Sequence, residues 1–248
     1  MSSIRQRLDK VLTGWRDWNI TLQAMPQVIS ELKGGITNTS FLLSEGRQQM
    51  VLRLNSPYSR ELGIDRDIER KILELVSPKN LAPKVYFNNL DCLVTEYLAG
   101  DVADYDKDHL QCHYQQLLQA VHQLTPDLPE FNYLQHMENY WCYLVDHGDS
   151  LPEELCQQRA RLLPVLEKLG CGEENRVLCH HDPGLHNLRF RQNSLLLIDW
   201  EYAGMGMKAM DYAASGMIEP VLPDFSALSA YQNRLWHRVF ALAHQGKC

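Results

Sequence analysis

A polar loop that leads into an apolar hairpin constrains this chain more than any other part of its sequence. His180 and Asp182 are separated by one residue, and Asn187 follows the aspartate by five positions. Asp199 comes directly after the apolar run Leu195–Ile198. Because the two strands of a hairpin pair side by side, Asn187 and Asp199 are expected at the same end of a small sheet. The apolar run is expected to place Asp199 on a rigid strand.

This layout predicts phosphoryl transfer. In protein kinases one Asp accepts the proton of the substrate hydroxyl, while an Asn five residues later and an Asp after a hairpin bind Mg²⁺. Divalent cations neutralise the charge on the transferred group, and carboxylate and amide oxygens are suitable ligands for Mg²⁺. We therefore predict Asp182 as the catalytic residue, and Asn187 and Asp199 as metal ligands.

The histidines of this loop leave a second interpretation open. His180, His181 and His186 with Asp182 could instead form a metallohydrolase site, but no further ligand motif occurs. The kinase interpretation explains the spacing of Asp182, Asn187 and Asp199, which the metallohydrolase interpretation does not. We expect His180 to hold the loop backbone, and Asp211 to support the loop by hydrogen bonds.

The first hundred residues contain candidate nucleotide-binding groups. A glycine-rich turn lies between two predicted strands, where its backbone N–H groups could contact phosphates, although an ordinary hairpin turn has the same pattern. Arg53 is a single cation on an apolar strand, and Glu69 lies on the next helix. Such a pair would resemble the kinase Lys–Glu pair that holds the α- and β-phosphates. The candidate residues in the turn are Gly34, Gly35, Thr37 and Asn38.

Hydrophobic periodicity predicts strands first and helices later. The predicted strands are 27–32, 39–43, 49–54, 85–87, 92–97, 177–179, 188–190 and 195–198. The predicted helices are 4–18, 61–76, 109–124, 133–147 and 152–169, with further helical segments at the end. This order predicts an N-terminal lobe over residues 1–98 and a C-terminal lobe over residues 99–248, with Gly100 as a possible hinge.

The chain resembles the aminoglycoside phosphotransferase and choline kinase superfamily, and within it the bacterial thiamine kinase and choline/ethanolamine kinase branch. The resemblance runs from about residue 28 to 215. It depends on GGITNTSF (34–41), VLRL (51–54), HHDPGLHN (180–187) and IDWEYAG (198–204), with Asp211 following. An arginine at the position of Arg53 is common in that superfamily.

The resemblance implies an α+β, bilobal, protein-kinase-like fold, with a small antiparallel-sheet lobe and a larger, mostly helical lobe. It implies ATP and Mg²⁺ as cofactors. It also implies a hinge at Glu96 and Tyr97 that grips adenine through backbone groups. Trp200 and Glu201 stand where protein kinases have Phe-Gly, so a phosphorylation-gated activation loop is not expected. The residues predicted to lie near the acceptor substrate are Trp200, Glu201 and His186.

The composition limits the kinds of molecule that the chain is expected to bind and the compartment in which it is expected to occur. The net charge is −7 and no run of Lys or Arg exceeds two residues, so a nucleic-acid-binding surface is not expected. No apolar stretch approaches the roughly 20 residues of a membrane span, and no secretory signal is evident. Seven scattered cysteines without a CxxC pair indicate reduced thiols in a cytoplasmic protein.

The predicted function is a small-molecule kinase that phosphorylates a hydroxyl group. The acidic balance and the resemblance favour a cationic alcohol: thiamine, or choline or ethanolamine. A sugar or an aminoglycoside is an alternative acceptor, and a catalytically idle nucleotide-binding relative is an alternative function. The aromatic residues at helical positions fit either core packing or a face for a cation; they are Tyr140, Trp141, Tyr231 and Trp236.

Overall fold

The computed structural model describes residues 3–33, 35–99, 107–169, 176–216 and 223–244, so the predicted positions Gly34 and Gly100 lie outside it. The strands are β1 (Gln27–Leu32), β2 (Thr39–Glu45), β3 (Gln48–Leu54), β4 (Val85–Asn88), β5 (Cys92–Glu96), β6 (Arg176–Cys179), β7 (Leu188–Arg191), β8 (Ser194–Leu197) and β9 (Gly204–Met207). The helices are α1 (Ile4–Thr13), α2 (Arg66–Val76), α3 (Lys107–His122), α4 (Tyr133–Asp146), α5 (Glu153–Leu169), α6 (Lys208–Ser215) and α7 (Pro223–His244).

The first five strands form one antiparallel sheet in the order β1-β2-β3-β5-β4. Alternate residues of β3, namely Met50, Leu52 and Leu54, are buried, as expected for a strand with one face on a core. They pack with Leu8 and Leu12 of α1 in the core of this lobe. The sheet thus presents the intervening residues of β3 to its other face.

Helix α2 begins later than its apolar spacing predicts. The sequence predicts a start at residue 61, whereas Gly63 adopts a φ of 71° and the chain is still in a turn there. Asp65 then caps the helix, because its side chain accepts hydrogen bonds from the backbone N–H groups of Asp67 and Ile68. Glu69, in the first turn of this helix, contacts Arg53 of β3.

The C-terminal lobe consists mainly of helices around two short two-stranded sheets, β6-β9 and β7-β8. Helices α4, α5, α6 and α7 share one apolar core, while a second core joins α2 and α3 to β6–β8. Strand β9 was not predicted, because Gly204 and Gly206 disfavour a strand by propensity. It forms because it pairs with β6, with Cys179 opposite Gly204.

The connection from β5 to α3 passes through residues 100–106, which lie outside the described ranges. The division of the chain at residue 98 therefore stays a prediction. Among the helices of the described segments, none has the length and apolar character needed to cross a membrane.

Candidate active site

A cavity of about 990 Å³ lies between the five-stranded sheet and the helical lobe. Its volume is within the usual range for ligand sites. Glu69 lies behind the cavity wall and contacts Arg53, which lines it. The predicted site residues on the wall are Gly35, Thr37, Asn38, Arg53, Glu96, Tyr97, Asp182, His186, Asn187, Asp199, Trp200 and Glu201. The fold therefore brings residues from both halves of the sequence to one cavity.

Asp182 and Asn187 contact each other on the loop between β6 and β7. The Asn187 amide nitrogen donates to the Asp182 carbonyl and to Asp182 Oδ2, both at 2.9 Å. Because the nitrogen faces Asp182, the amide oxygen of Asn187 is available to a metal ion. His186 Nε2 lies 3.2 Å from the same Oδ2. Burial acts to raise the pKa of Asp182, but the hydrogen bond and charge of neighbouring histidines lower it overall, which favours the carboxylate.

Asp211 of α6 supports this loop through its carboxylate. Oδ2 accepts from the His180 backbone N–H at 3.0 Å, and Oδ1 accepts from that of His181 at 2.7 Å. His122 Nε2 lies 2.9 Å from Oδ2. Burial acts to raise the pKa of Asp211, but the His122 hydrogen bond and nearby donors hold it below its ordinary value. The predicted supporting role of Asp211 is confirmed.

His180 and His181 hold the loop as neutral rings. His180 Nδ1 accepts from the Asp182 backbone N–H at 3.3 Å, which confirms its predicted contact with the loop backbone, and its Nε2 donates to the Ile198 carbonyl at 3.0 Å. His181 has a φ of 65°, and its Nδ1 donates to the Tyr202 carbonyl at 2.8 Å. Its Nε2 therefore accepts from the Tyr133 hydroxyl at 2.6 Å. Burial lowers the pKa of both rings.

A metallohydrolase site at these histidines finds no support in the described part of the chain. There, the potential ligand atoms that come together belong to His122, Cys179 and Asp211 rather than to His180, His181 and His186. The Asp211 carboxylate already accepts two backbone N–H groups.

Asp199 follows the β7–β8 hairpin, as the sequence predicts, but it lies two residues beyond the end of β8 rather than on the strand. The Ile198 N–H donates to the Asn187 carbonyl at 2.8 Å, which ties the two predicted metal ligands to one end of the hairpin. Asp199 has a φ of 62°, a left-handed conformation that Asp tolerates better than most residues. Burial and nearby carboxylates raise its pKa against the attraction of Arg53. The Asn187 amide oxygen and the Asp199 carboxylate form a set of oxygen donors that fits Mg²⁺.

Arg53 joins β3 to α2 and to the hairpin. Its Nη2 lies 2.7 Å from both carboxylate oxygens of Glu69, and its Nη1 lies 2.9 Å from Asp199 Oδ1. The predicted Arg53–Glu69 pair therefore forms. Burial acts to raise the pKa of Glu69, but the charges of Arg53 and Arg66 lower it overall.

Arg66 was missed by the sequence analysis, although it lies one turn before Glu69 on α2. Its guanidinium contacts Glu69 Oε2 at 2.7 Å, Glu201 Oε2 at 2.9 Å and Asn38 Oδ1 at 3.0 Å. Asn38 in turn donates to Glu201 Oε2 at 2.7 Å. Burial and the charge of Asp199 raise the pKa of Glu201 to about 7 despite the two arginines. Glu201 thus links the glycine-rich turn to the segment after the hairpin.

Two other predicted residues direct their side chains into the protein. Trp200 is 1% exposed, and its indole nitrogen donates to the Leu197 carbonyl at 2.9 Å. The Glu96 carboxylate pairs with Arg191, and the Glu96 N–H donates to the Lys84 carbonyl at 2.9 Å. A ligand contact at Glu96 would therefore use its backbone carbonyl.

Helix α7 supplies a wall of the cavity that the sequence did not reveal. Gln232, Asn233, Trp236 and His237 line the cavity together with Tyr202. Trp236 Nε1 donates to the Tyr202 hydroxyl at 2.6 Å. Aromatic residues at helical spacing were noted in the sequence, but spacing alone does not show which of them face a cavity. Tyr231, by contrast, is 1% exposed in the helical core.

The chain belongs to the phosphotransferase enzyme family, which it matches over residues 28–240. A thiamine kinase of Escherichia coli O1:K1 is 29% identical over 191 residues, which are 75% of this chain and 65% of that protein. The chain thus matches slightly less than two thirds of the length of this relative.

Solved structures show the same fold at lower identity. The choline kinase LicA from Streptococcus pneumoniae is 23% identical, with a TM-score of 0.71 over 90% of this chain and 88% of that chain. LicA in complex with AMP gives a TM-score of 0.75 at 21% identity, over 100% of this chain and 93% of the other. The predicted bilobal kinase-like fold and the predicted superfamily are confirmed.

Proposed function

We propose that this phosphotransferase moves the γ-phosphoryl group of ATP to a hydroxyl of a small cationic alcohol, with thiamine as the first candidate and choline or ethanolamine next. The observation that carries the proposal is the meeting of Asp182, Asn187 and Asp199 in one cavity, opposite the Arg53–Glu69 pair. Each residue type suits one requirement of phosphoryl transfer.

Asp182 is the residue proposed to orient the acceptor. Its Oδ2 bonds to Asn187 and His186, so the carboxylate is held in place while Oδ1 is available to an incoming hydroxyl. The acceptor oxygen bonds to the γ-phosphorus, the bond from that phosphorus to the β–γ bridging oxygen breaks, and ADP leaves. The hydroxyl proton passes to the Asp182 carboxylate, whose lowered pKa makes it a positioning group more than a strong base.

Asn187 and Asp199 are the proposed metal ligands. Mg²⁺, when bound, would neutralise charge on the phosphates. Arg53 places a second, permanent positive charge beside Asp199, within 2.9 Å of its carboxylate. Gly35 and Thr37 of the glycine-rich turn line the same cavity, and the backbone N–H groups of such a turn suit phosphate oxygens.

A cationic acceptor is supported by the chemistry of the helical end of the cavity. Tyr202 and Trp236 line the cavity there, and aromatic rings attract organic cations. The similar proteins are named as a thiamine kinase and a choline kinase. Thiamine and choline are both cationic alcohols.

ATP consumption with Mg²⁺ and a panel of thiamine, choline, ethanolamine, sugars and aminoglycosides tests the proposal. Asp182→Ala is expected to lower turnover by about a thousandfold while ATP still binds, because only acceptor activation is lost. Asp67→Ala, an exposed aspartate on α2, is the matched control and should leave turnover unchanged. Near wild-type turnover in Asp182→Ala would refute the assigned role, and silence of the wild type across the panel with ATP bound would favour an idle relative.

A further inference from the structure

A two-point ion pair joins the β7–β8 hairpin to the five-stranded sheet. Arg191 is the last residue of β7, and Glu96 is the last residue of β5. The Arg191 Nε donates to Glu96 Oε1 at 3.1 Å, and its Nη2 contacts Glu96 Oε2. Each of the two side chains is 21% exposed. Because both contacts must form together, a pair of this kind fixes the position of the carboxylate as well as neutralising its charge.

Glu96 is also held from its own sheet. Its Oε2 accepts from the Lys84 N–H at 3.2 Å, and its backbone N–H donates to the Lys84 carbonyl at 2.9 Å. On the other side, Glu96 lies opposite Met50 of β3. The Glu96 carboxylate is thus shared between the sheet and the hairpin, and it lies on the same residue whose backbone borders the cavity.

The hairpin is attached to the segment before β4 as well. Arg191 Nη1 donates to Asn80 Oδ1 at 3.0 Å, and the Leu197 N–H of β8 donates to the Leu81 carbonyl at 2.9 Å. The hairpin lies between Asn187 and Asp199, the two proposed metal ligands. Arg191 therefore connects the element that carries the metal ligands with the end of β5.

Arg191 acts on the cavity only through Glu96. The family resemblance predicts that adenine binds to backbone groups of Glu96 and Tyr97, and both residues line the cavity, whereas Arg191 is not among the described residues of its wall. A nucleotide must reach the base-binding backbone and the metal ligands at once, so a small displacement of either end lowers its affinity. We propose that Arg191 is a positioning residue for the nucleotide base, which holds the Glu96 backbone where adenine binds. The inference rests on the proposed function and adds a residue to its nucleotide site.

The test compares AMP, which carries the base, with inorganic tripolyphosphate and Mg²⁺, which lack it. Arg191→Gln is expected to raise the Kd for AMP and the KM for ATP about tenfold, because the Glu96 backbone loses the contact that fixes it. The Kd for tripolyphosphate and the kcat at saturating ATP should stay within about twofold of the wild type, since the metal ligands and Asp182 are unchanged. Calorimetry measures both Kd values.

A matched control exists elsewhere in the fold. Arg159 makes the same two-point contact with Glu138, at 3.1 Å and 2.7 Å, and neither residue lines the cavity. Arg159→Gln should therefore leave the Kd for AMP unchanged. Arg191→Lys is a milder second variant that keeps the charge but not the planar fork, and it should also weaken AMP binding. Thermal melting identifies the variants that fold.

The outcomes separate this inference from the proposed function. An unchanged Kd for AMP in a folded Arg191 variant, or an equal loss of AMP and tripolyphosphate, overturns the role of Arg191. A wild type that binds tripolyphosphate but not AMP overturns it as well. Because AMP binding needs no acceptor, these comparisons decide the role of Arg191 even if the wild type phosphorylates none of the alcohols, a result that would refute the proposed function alone.

Discussion

The two sides of the cleft are held by different kinds of interaction. On the nucleotide side, Arg53, Arg66, Glu69 and Glu201 are all less than 9% exposed and hold one another by charge. On the catalytic-loop side, the Asp211 carboxylate accepts from two backbone N–H groups, and burial lowers the pKa of His180 and His181.

This difference indicates which side can respond to a ligand. Arg53 bonds to Asp199, a proposed metal ligand, so the charged side has a contact that Mg²⁺ and phosphates would compete for. On the loop side, the Asp211 carboxylate binds the backbone of His180 and His181, which are not proposed ligand-binding groups. We therefore expect the stability of the charged side to depend on the presence of every charged partner. We expect the stability of the loop side to depend on packing and on keeping its buried histidines neutral.

The largest expected effect comes from removing one charge of the buried network. Glu69→Gln should lower the free energy of unfolding by about 3 to 5 kcal/mol, because Arg53 and Arg66 would lose a shared anionic partner while still buried. Urea unfolding measures the loss. Glu74→Gln on the same helix is the matched control: its pair with Arg70 is exposed, so its loss should cost far less than that of Glu69. Equal losses in the two variants would contradict the description of this side.

The loop side should be most sensitive to steric change at Gly206. A Cβ there would lie 2.3 Å from the Tyr133 hydroxyl and 2.6 Å from His181 Nε2, so that hydrogen bond would have to move. Gly206→Ala should destabilise the fold by roughly 1 to 3 kcal/mol and lower kcat, since His181 precedes Asp182. Gly14→Ala, where a Cβ meets only ordinary contacts, should cost much less. A Gly206→Ala variant as stable and active as Gly14→Ala would refute this.

Acid should also act through His136 of α4, which packs on Phe131 beside His181. Burial lowers the pKa of this ring from 6.5 to about 4, so the unfolded chain binds a proton that the folded chain does not over that range. The free energy of unfolding should therefore fall by about 2 kcal/mol from pH 7 to pH 5 on account of His136. His136→Gln should show a shallower dependence by that amount, whereas His147→Gln, an exposed histidine, should follow the wild type. Equal pH slopes in both variants would exclude His136 as the cause.

The site residues that could be predicted from the sequence are those close together along the chain or those with a specific chemical role. The distances along the chain from Asp182 to Asn187 and Asp199 are bridged by one loop and one hairpin, so local geometry determines where they meet. The Arg53–Glu69 pair was predicted by analogy with kinases and it forms.

The contacts that were missed join distant segments. Arg66 meets Glu201 across 135 positions of the chain, and β9 depends on pairing with β6 rather than on its own glycines. The α7 wall is similar, because Gln232 and Asn233 look like ordinary surface amides until the helix is packed. Long-range packing of this kind leaves no local pattern in a single sequence.

The smallest expected effect comes from Glu201, and it distinguishes this carboxylate from Glu69 within the charged side. Its pKa of about 7 lies above the ordinary 4.5, so its contribution to stability is present below pH 4.5 and is lost as the pH rises through 7. Near pH 7 the carboxyl is about half protonated, and glutamine imitates the protonated form. Glu201→Gln without Mg²⁺ or nucleotide should thus change the free energy of unfolding by less than about 1 kcal/mol at pH 7.

The free energy of unfolding of Glu201→Gln should rise relative to that of the wild type as the pH increases from 6 to 8. The reason is that the side chain at position 201 ionises in that interval only in the wild type. Urea unfolding at pH 6, 7 and 8 measures this, with Glu69→Gln as the comparison that should lose several kcal/mol at every pH. A cost for Glu201→Gln as large as that for Glu69→Gln would mean that both carboxylates are permanently charged. Glu69 and Glu201 would then contribute equally to the stability of the charged side, and Glu201 would not be the weaker of its two carboxylates.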